Sequence, residues 1–176
     1  IIPERVTSIE RYAFYECSGL ESIKIPEGVT NIGDYAFYKC SSLESIEIPE
    51  GVTSIGIWAF GYSSSLESII IPESVTSIGS SAFSGCSSLE SINIPESVTS
   101  IEEDAFYGCS SLKTIVIPEN VSSIASNAIP GSTIIYTKSN SEGHRYAEEN
   151  EQGYILIYEP GDINGNGFID ITDFLM

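Results

Sequence analysis

Hydrophobic and polar residues alternate in short bursts, and the bursts return at a fixed interval. Leu20, Leu43, Leu66, Leu89 and Leu112 each open the same segment, 23 residues after the one before, and residues 1–19 are the tail of an earlier copy. Alignment of the copies gives vertical columns of one residue type. Phe14, Phe37, Phe60, Phe83 and Phe106 form one, with Ile129 in the next place. Val6, Val29, Val52, Val75, Val98 and Val121 form a second, and Ile9, Ile32, Ile55, Ile78, Ile101 and Ile124 a third. A unit this small cannot bury its own apolar residues, so neighbouring copies must stack into a solenoid and bury them together.

Within one copy, Leu20, Ile23 and Ile25 point inward, and Ser22 and Lys24 alternate with the last two on a short strand. Pro26 ends that strand by withholding an N–H and fixing φ. Val29 to Ile32 is a second short extended piece, and residues 33–42 turn the chain back with Ala36, Phe37 and Cys40 buried. Stacked parallel strands about 4.8 Å apart would then make a short, slightly curved slab. Each end of such a slab needs a lid.

The L-x-x-I-x-I core at this period marks a leucine-rich repeat solenoid. The run I-P-x-x-V-x-x-I followed by A-F-x-x-C resembles the BspA-like class of these repeats over residues 1–132, with Ser63 replacing one cysteine and Ile129 the last phenylalanine. The resemblance implies a secreted or cell-surface bacterial protein that binds rather than catalyses, often in adhesion. The chain opens inside a repeat and is read as a fragment, so a missing signal peptide says nothing about its parent.

Charge narrows the partners. Seven Lys and Arg face 25 Asp and Glu, a net charge of −18. No basic stripe could neutralise phosphates, so nucleic acid is excluded as a partner, and anionic membrane surfaces are disfavoured. No apolar run approaches the roughly 20 residues that span a bilayer, so no membrane insertion is expected. The acids form columns: Glu4, Glu27, Glu50, Glu73, Glu96 and Glu119 follow the prolines, and Glu21, Glu44, Glu67 and Glu90 follow the leucines. Two carboxylates about 4.8 Å apart repel by about 0.9 kcal/mol at the dielectric of water, so solvated ladders are tolerable. A cation-binding face is the alternative. Catalysis needs one distinctive constellation, which columns of copies do not provide, and no catalytic residue is assigned.

Cys17, Cys40, Cys86 and Cys109 share one column. Neighbours would have Cα atoms inside the disulfide range, yet their parallel Cβ bonds hold the Cβ atoms too far apart, which favours free core thiols. The copies differ at two sets of positions. Lys24, Glu47, Ile70, Asn93 and Val116 lie outward on the first strand. Tyr12, Tyr35, Trp58, Ser81, Asp104 and Asn127 form the second set, accompanied by Tyr15, Tyr38, Tyr62 and Tyr107. Tyr12, Tyr35, Trp58, Lys24, Glu47, Ile70 and Asn93 are the candidate ligand face, suited to a protein or a polysaccharide. The alternative is that the aromatic rings pack between copies and cover the flank of the core.

After Ser132 the period breaks. Residues 133–138 and 152–158 read as strands, and Ser139 and Glu142 offer capping-box spacing for a helix that carries Arg145, Tyr146 and Ala147 and stops near Gly153. This β-α-β segment, 133–159, is expected to act as the C-terminal cap, with His144 on its surface.

Residues 160–176 change character again. Asp162, Asn164, Asn166, the carbonyl of Phe168, Asp170 and Asp173 occupy EF-hand positions 1, 3, 5, 7, 9 and 12, with Gly167 at the sharp turn, and predict a calcium loop. The run GDINGNGFIDITDFLM resembles the first half of a dockerin, truncated before its second calcium segment. That resemblance implies a cohesin module of a scaffold protein as partner, in a cellulosome-like assembly, with Ile171 and Thr172 helping to choose it.

Overall fold

The computed structural model describes residues 2–157. From Leu43 onward each turn of the solenoid carries a three-residue first strand and a two-residue second strand, and the turn before it has the second strand with only a bridge at Lys24 in place of the first. The second strands are β1 (Asn31–Ile32), β3 (Ser54–Ile55), β5 (Ser77–Ile78), β7 (Ser100–Ile101) and β9 (Ser123–Ile124). The first strands are β2 (Ser45–Glu47), β4 (Ser68–Ile70), β6 (Ser91–Asn93) and β8 (Thr114–Val116). All pair in parallel, and the register follows the repeat: Ile46 lies opposite Ile69, Ile32 opposite Ile55, Ile92 opposite Ile115. The result is a parallel β-solenoid of about five turns of 23 residues, as the periodicity requires.

Its interior is the set of columns read from the chain. Phe37, Phe60, Phe83 and Phe106 are fully buried, and consecutive rings stack 5.3–5.6 Å apart within 5° of parallel. Leucine, valine, isoleucine and alanine columns close around them. The return segments, expected to be irregular, are also tied turn to turn. Phe37 donates its N–H to Ala59, Phe60 to Ala82 and Phe83 to Ala105, at 2.7–3.0 Å.

Cys40, Cys86 and Cys109 are buried free thiols, and each Sγ donates to a phenylalanine carbonyl of the preceding turn at 3.1–3.2 Å. Ser63 replaces cysteine in that column and makes the same bond to Phe37, at 2.8 Å. The column therefore selects a small side chain that can donate, which accounts for the exchange of sulfur for oxygen. Cys17 departs from the expectation of burial: it is exposed in the first turn.

Residues 134–156 form a strand, a helix and a strand. β10 (Ile134–Thr137) continues the sheet beside β8, and β11 (Tyr154–Leu156) pairs with β10, both in parallel. Helix α1 (Glu142–Glu149) buries Tyr146 and Ala147. Its N-cap is Ser141, whose hydroxyl accepts the N–H of His144, and not Ser139; its C-cap is Asn150, short of Gly153. The expected strands at 133–138 and 152–158 are each shorter than the spacing suggested. His144, expected on the surface, is half-buried. Its side chain is 15% exposed, its ring lies 4.7 Å from that of Tyr154, and its Nδ1 accepts the N–H of Asn140. The calcium ligands Asp162, Asn164, Asn166, Phe168, Asp170 and Asp173, with Ile171 and Thr172, lie outside the described residues.

Burial raises the Cys40 thiol to about 11 and the Cys109 thiol to about 12, and pushes Cys86 well above its ordinary value. Reactivity needs thiolate and access. A disulfide-exchange reagent should therefore titrate one thiol in the native chain, Cys17, and four after unfolding. Rapid native labelling of all four would contradict the buried column.

Candidate functional surfaces

The seven candidate face residues divide into two groups on different parts of each turn. Lys24, Glu47, Ile70 and Asn93 occupy equivalent outward places on the first strands. Lys24 bridges to Glu47, and Glu47 lies in register with Ile70. Ile70 is 81% exposed, the most open large apolar side chain among the described residues. Two grooves of about 400 and 370 Å³ cross this face, one between residues 22–25 and 45–50, the other between 68–73 and 91–95. Both coincide with interruptions of the first-strand ladder: Lys24 makes only an isolated bridge, and β4 and β6 belong to separate hydrogen-bonded sheets.

Tyr12, Tyr35 and Trp58 sit instead on the return segments, where they join Tyr15, Tyr38 and Tyr62 in one continuous ledge. Tyr12 stacks on Tyr35 at 5.2 Å, Tyr15 on Tyr38 at 5.2 Å, and Trp58 on Tyr62 at 5.6 Å. Edge-to-face contacts tie the rows together, as between Tyr38 and Trp58 at 5.8 Å. Tyr12, Tyr15 and Tyr62 remain exposed, while Tyr35, Tyr38 and Trp58 are half-buried. Two cations border the ledge. The Arg11 guanidinium lies 4.7 Å from the Tyr12 ring centre, and Lys39 lies 5.4 Å from that of Tyr38. Lys39 also donates to Glu16 at 2.9 Å, and that bond raises its pKa.

The backbone beneath the ledge has a feature that no pattern in the chain announced. Tyr12, Tyr35, Trp58, Ser81 and Asp104 all have φ of 56–61°, as do Glu16, Lys39 and Tyr62 four residues further on in their turns, at 56°. Such a conformation costs a non-glycine residue about 1–2 kcal/mol. The N–H groups of Tyr12, Tyr35, Trp58 and Ser81 all donate to a carbonyl of the next turn, as do those of Glu16, Lys39 and Tyr62. Gly85 and Gly108 hold the second position in later turns. These two glycines were the available signal, but Glu16, Lys39 and Tyr62 in the equivalent places of earlier turns concealed it.

Gly61 explains why the only tryptophan fits. A Cβ there would approach Trp58 Cε3 to 2.4 Å and Tyr38 Cδ2 to 3.0 Å, so the indole packs directly over the bare backbone. Ring faces on the ledge are thus largely occupied: by neighbouring rings, by Arg11, and by Gly85, whose added Cβ would come within 2.6 Å of the Tyr62 ring. Solvent meets mainly edges and hydroxyl groups.

Residues 1–86 and 30–146 match the BspA type leucine-rich repeat region, in six copies. The chain belongs to this family. No curated protein matches it. Among solved structures, a leucine-rich repeat protein from Bacteroides ovatus is 32% identical, with a TM-score of 0.60 over 80% of this chain and 40% of that one. A leucine rich cell surface protein from Faecalibacterium prausnitzii is 28% identical, with a TM-score of 0.58 over 96% and 55%. The T. pallidum leucine rich repeat protein shares the fold at 24% identity and a TM-score of 0.66, over 88% and 84%. The BspA-type chain thus spans about half or less of the first and second of these proteins. All three are repeat proteins, and none is described as an enzyme. No helix among the described residues is long and apolar enough to cross a membrane. Nor do three carboxylate, imidazole or thiol groups among them converge closely enough to hold a metal ion.

Gly61→Ala should cost about 1–3 kcal/mol, the usual range for overpacking, and shift Trp58 emission because the indole must move. Gly108→Ala meets nothing nearer than 3.5 Å. It should cost only the left-handed backbone penalty, about 1 kcal/mol, and leave the emission unchanged. Thermal melts and fluorescence of the two variants separate the effects. Identical behaviour would mean that the ring does not lie over residue 61.

Proposed function

We propose that this chain is a non-catalytic recognition module, displayed on or outside a bacterial cell, that holds a protein partner on the outward face of its first strands. The carrying observation is the row Lys24, Glu47, Ile70 and Asn93. It is chemically mixed between columns that repeat, and Ile70 at its middle is 81% exposed. An isoleucine that open contributes nothing to the core, whereas a partner covering it would gain about 25 cal/mol for each Å² removed from water. Family membership and the cell surface relative support both the binding role and the extracellular placement.

A polysaccharide-binding adhesin is the alternative function. The aromatic ledge is its natural site, but sugar rings stack on open aromatic faces, and those of the ledge are largely taken. Edges and hydroxyl groups suit a protein surface better. Residues 133–157 we read as the element that closes the last turn. Attachment through a calcium loop at Asp162–Asp173 and a cohesin partner is a further proposal, supported by ligand spacing alone.

Ile70→Asp should abolish capture of the partner from the native extracellular milieu and leave the melting temperature within about 2 °C, since the site is solvated. Retention of the same partner by the variant would rule out this face. For the calcium loop, calorimetric titration of a chain with both dockerin segments against cohesin should give heat in calcium and none in EDTA. Silence in both would remove the anchoring proposal.

A further inference from the structure

We propose that the partner held on the first-strand face is a lysine- or arginine-rich segment of another protein. This rests on the recognition role above and names the chemistry of its partner. The face is bounded by two rows of carboxylates. Glu21, Glu44 and Glu67 precede the strands, Glu27 and Glu50 follow them, and Glu47 lies between. All six are exposed, and none has a side-chain hydrogen bond or ion pair among the described residues.

The later turns differ. There Glu90 is paired with Lys113 and Glu119 with Lys138, each at 3.1 Å. Glu73 accepts the N–H of Glu96, and Glu96 accepts from Asn120. Unanswered negative charge is therefore concentrated around the groove lined by Lys24, Glu47 and Glu50 and beside exposed Ile70. Lys24 opposes a cationic partner, but six acids outnumber it.

The arrangement also selects the form of the cation. A metal ion needs several ligands around one point, and no such convergence exists among the described residues. Carboxylates strung out in rows suit many separate positive charges carried on one chain. The two grooves lie where the strand ladder is interrupted, and they give such a chain relief to follow. Ile70 adds an apolar contact that pure charge attraction would not use.

The test is fluorescence anisotropy of the full chain with a labelled peptide of Lys, Arg, Leu and Gly, and with a counterpart in which Glu replaces every Lys and Arg. Exposed ion pairs contribute modestly, about twofold each, so Glu44→Gln, Glu50→Gln and Glu67→Gln together should weaken the basic peptide close to tenfold. Glu10→Gln, Glu102→Gln and Glu103→Gln remove the same charge from the return segments and should change affinity by less than about twofold. Ile70→Ser should weaken binding by a factor that added salt does not erase. Equal losses in the two triple variants would reduce the effect to the field of the whole chain and overturn the inference. Binding of the acidic peptide would overturn it too. If the basic peptide fails while Ile70-dependent capture of a protein persists, the partner chemistry is wrong and the recognition role stands.

Discussion

Phe37, Phe60, Phe83 and Phe106 lie ring on ring along the axis of the molecule, each filling space that only the next turn can close. One turn contributes a single phenylalanine, a leucine, a valine and a few isoleucines, far too little apolar surface to offset the ordering of its backbone. Stability therefore resides in the contact between turns, as in any linear array of repeats. The same contact dictates the polar architecture. Backbone N–H groups of both strands and of the return segment reach across to carbonyls one turn away, so register is enforced at several points around the coil. An insertion in any turn would break all of these bonds together.

This constraint explains why so much of the fold could be read from the chain. A column of identical residues at fixed spacing is the direct imprint of stacking, and the phenylalanine, valine and isoleucine columns mapped onto the buried core. Features whose cause is backbone geometry left fainter marks. The left-handed residues escaped because tyrosine, tryptophan and lysine occupy places where glycine would have signalled the conformation. The helix cap fell at Ser141 and not Ser139, since capping depends on which hydroxyl reaches the free N–H, and both serines satisfy a loose pattern. His144 read as exposed because its cover, Tyr154, comes from a strand ten residues later in the chain. The columns did separate the variable positions into two sets, one on the first strand and one on the return, and the structure keeps them on different parts of each turn.

The aromatic ledge shows how repetition turns one chemistry into another. A lone exposed tyrosine offers an open ring face. Repeated at a rise of about 5 Å, each ring instead covers its neighbour, and the stack turns its edges outward. Part of the ledge's stabilisation therefore belongs to the fold. It offsets the left-handed backbone beneath Tyr12, Tyr35 and Trp58. These residues cover the flank of the core, and Tyr12, Tyr15 and Tyr62 stay exposed at its rim.

Glutamate obeys the same logic with the opposite sign. Neighbouring carboxylates one rung apart repel, because the register holds their backbones only about 4.8 Å apart and leaves the side chains alone to splay them. The later turns relieve this with Lys113, Lys138 and Asn120. The earlier ones do not, although four of the seven cations of the chain lie within its first 39 residues. Arg11 and Lys39 are committed to the ledge, where they pair with Asp34 and Glu16. A solenoid that needed only solubility could have spread its charge evenly over all turns. Leaving one end of the strand face uncompensated makes that end the place where a cationic partner gains most, because its charges would replace the neutralisation that the later turns supply for themselves.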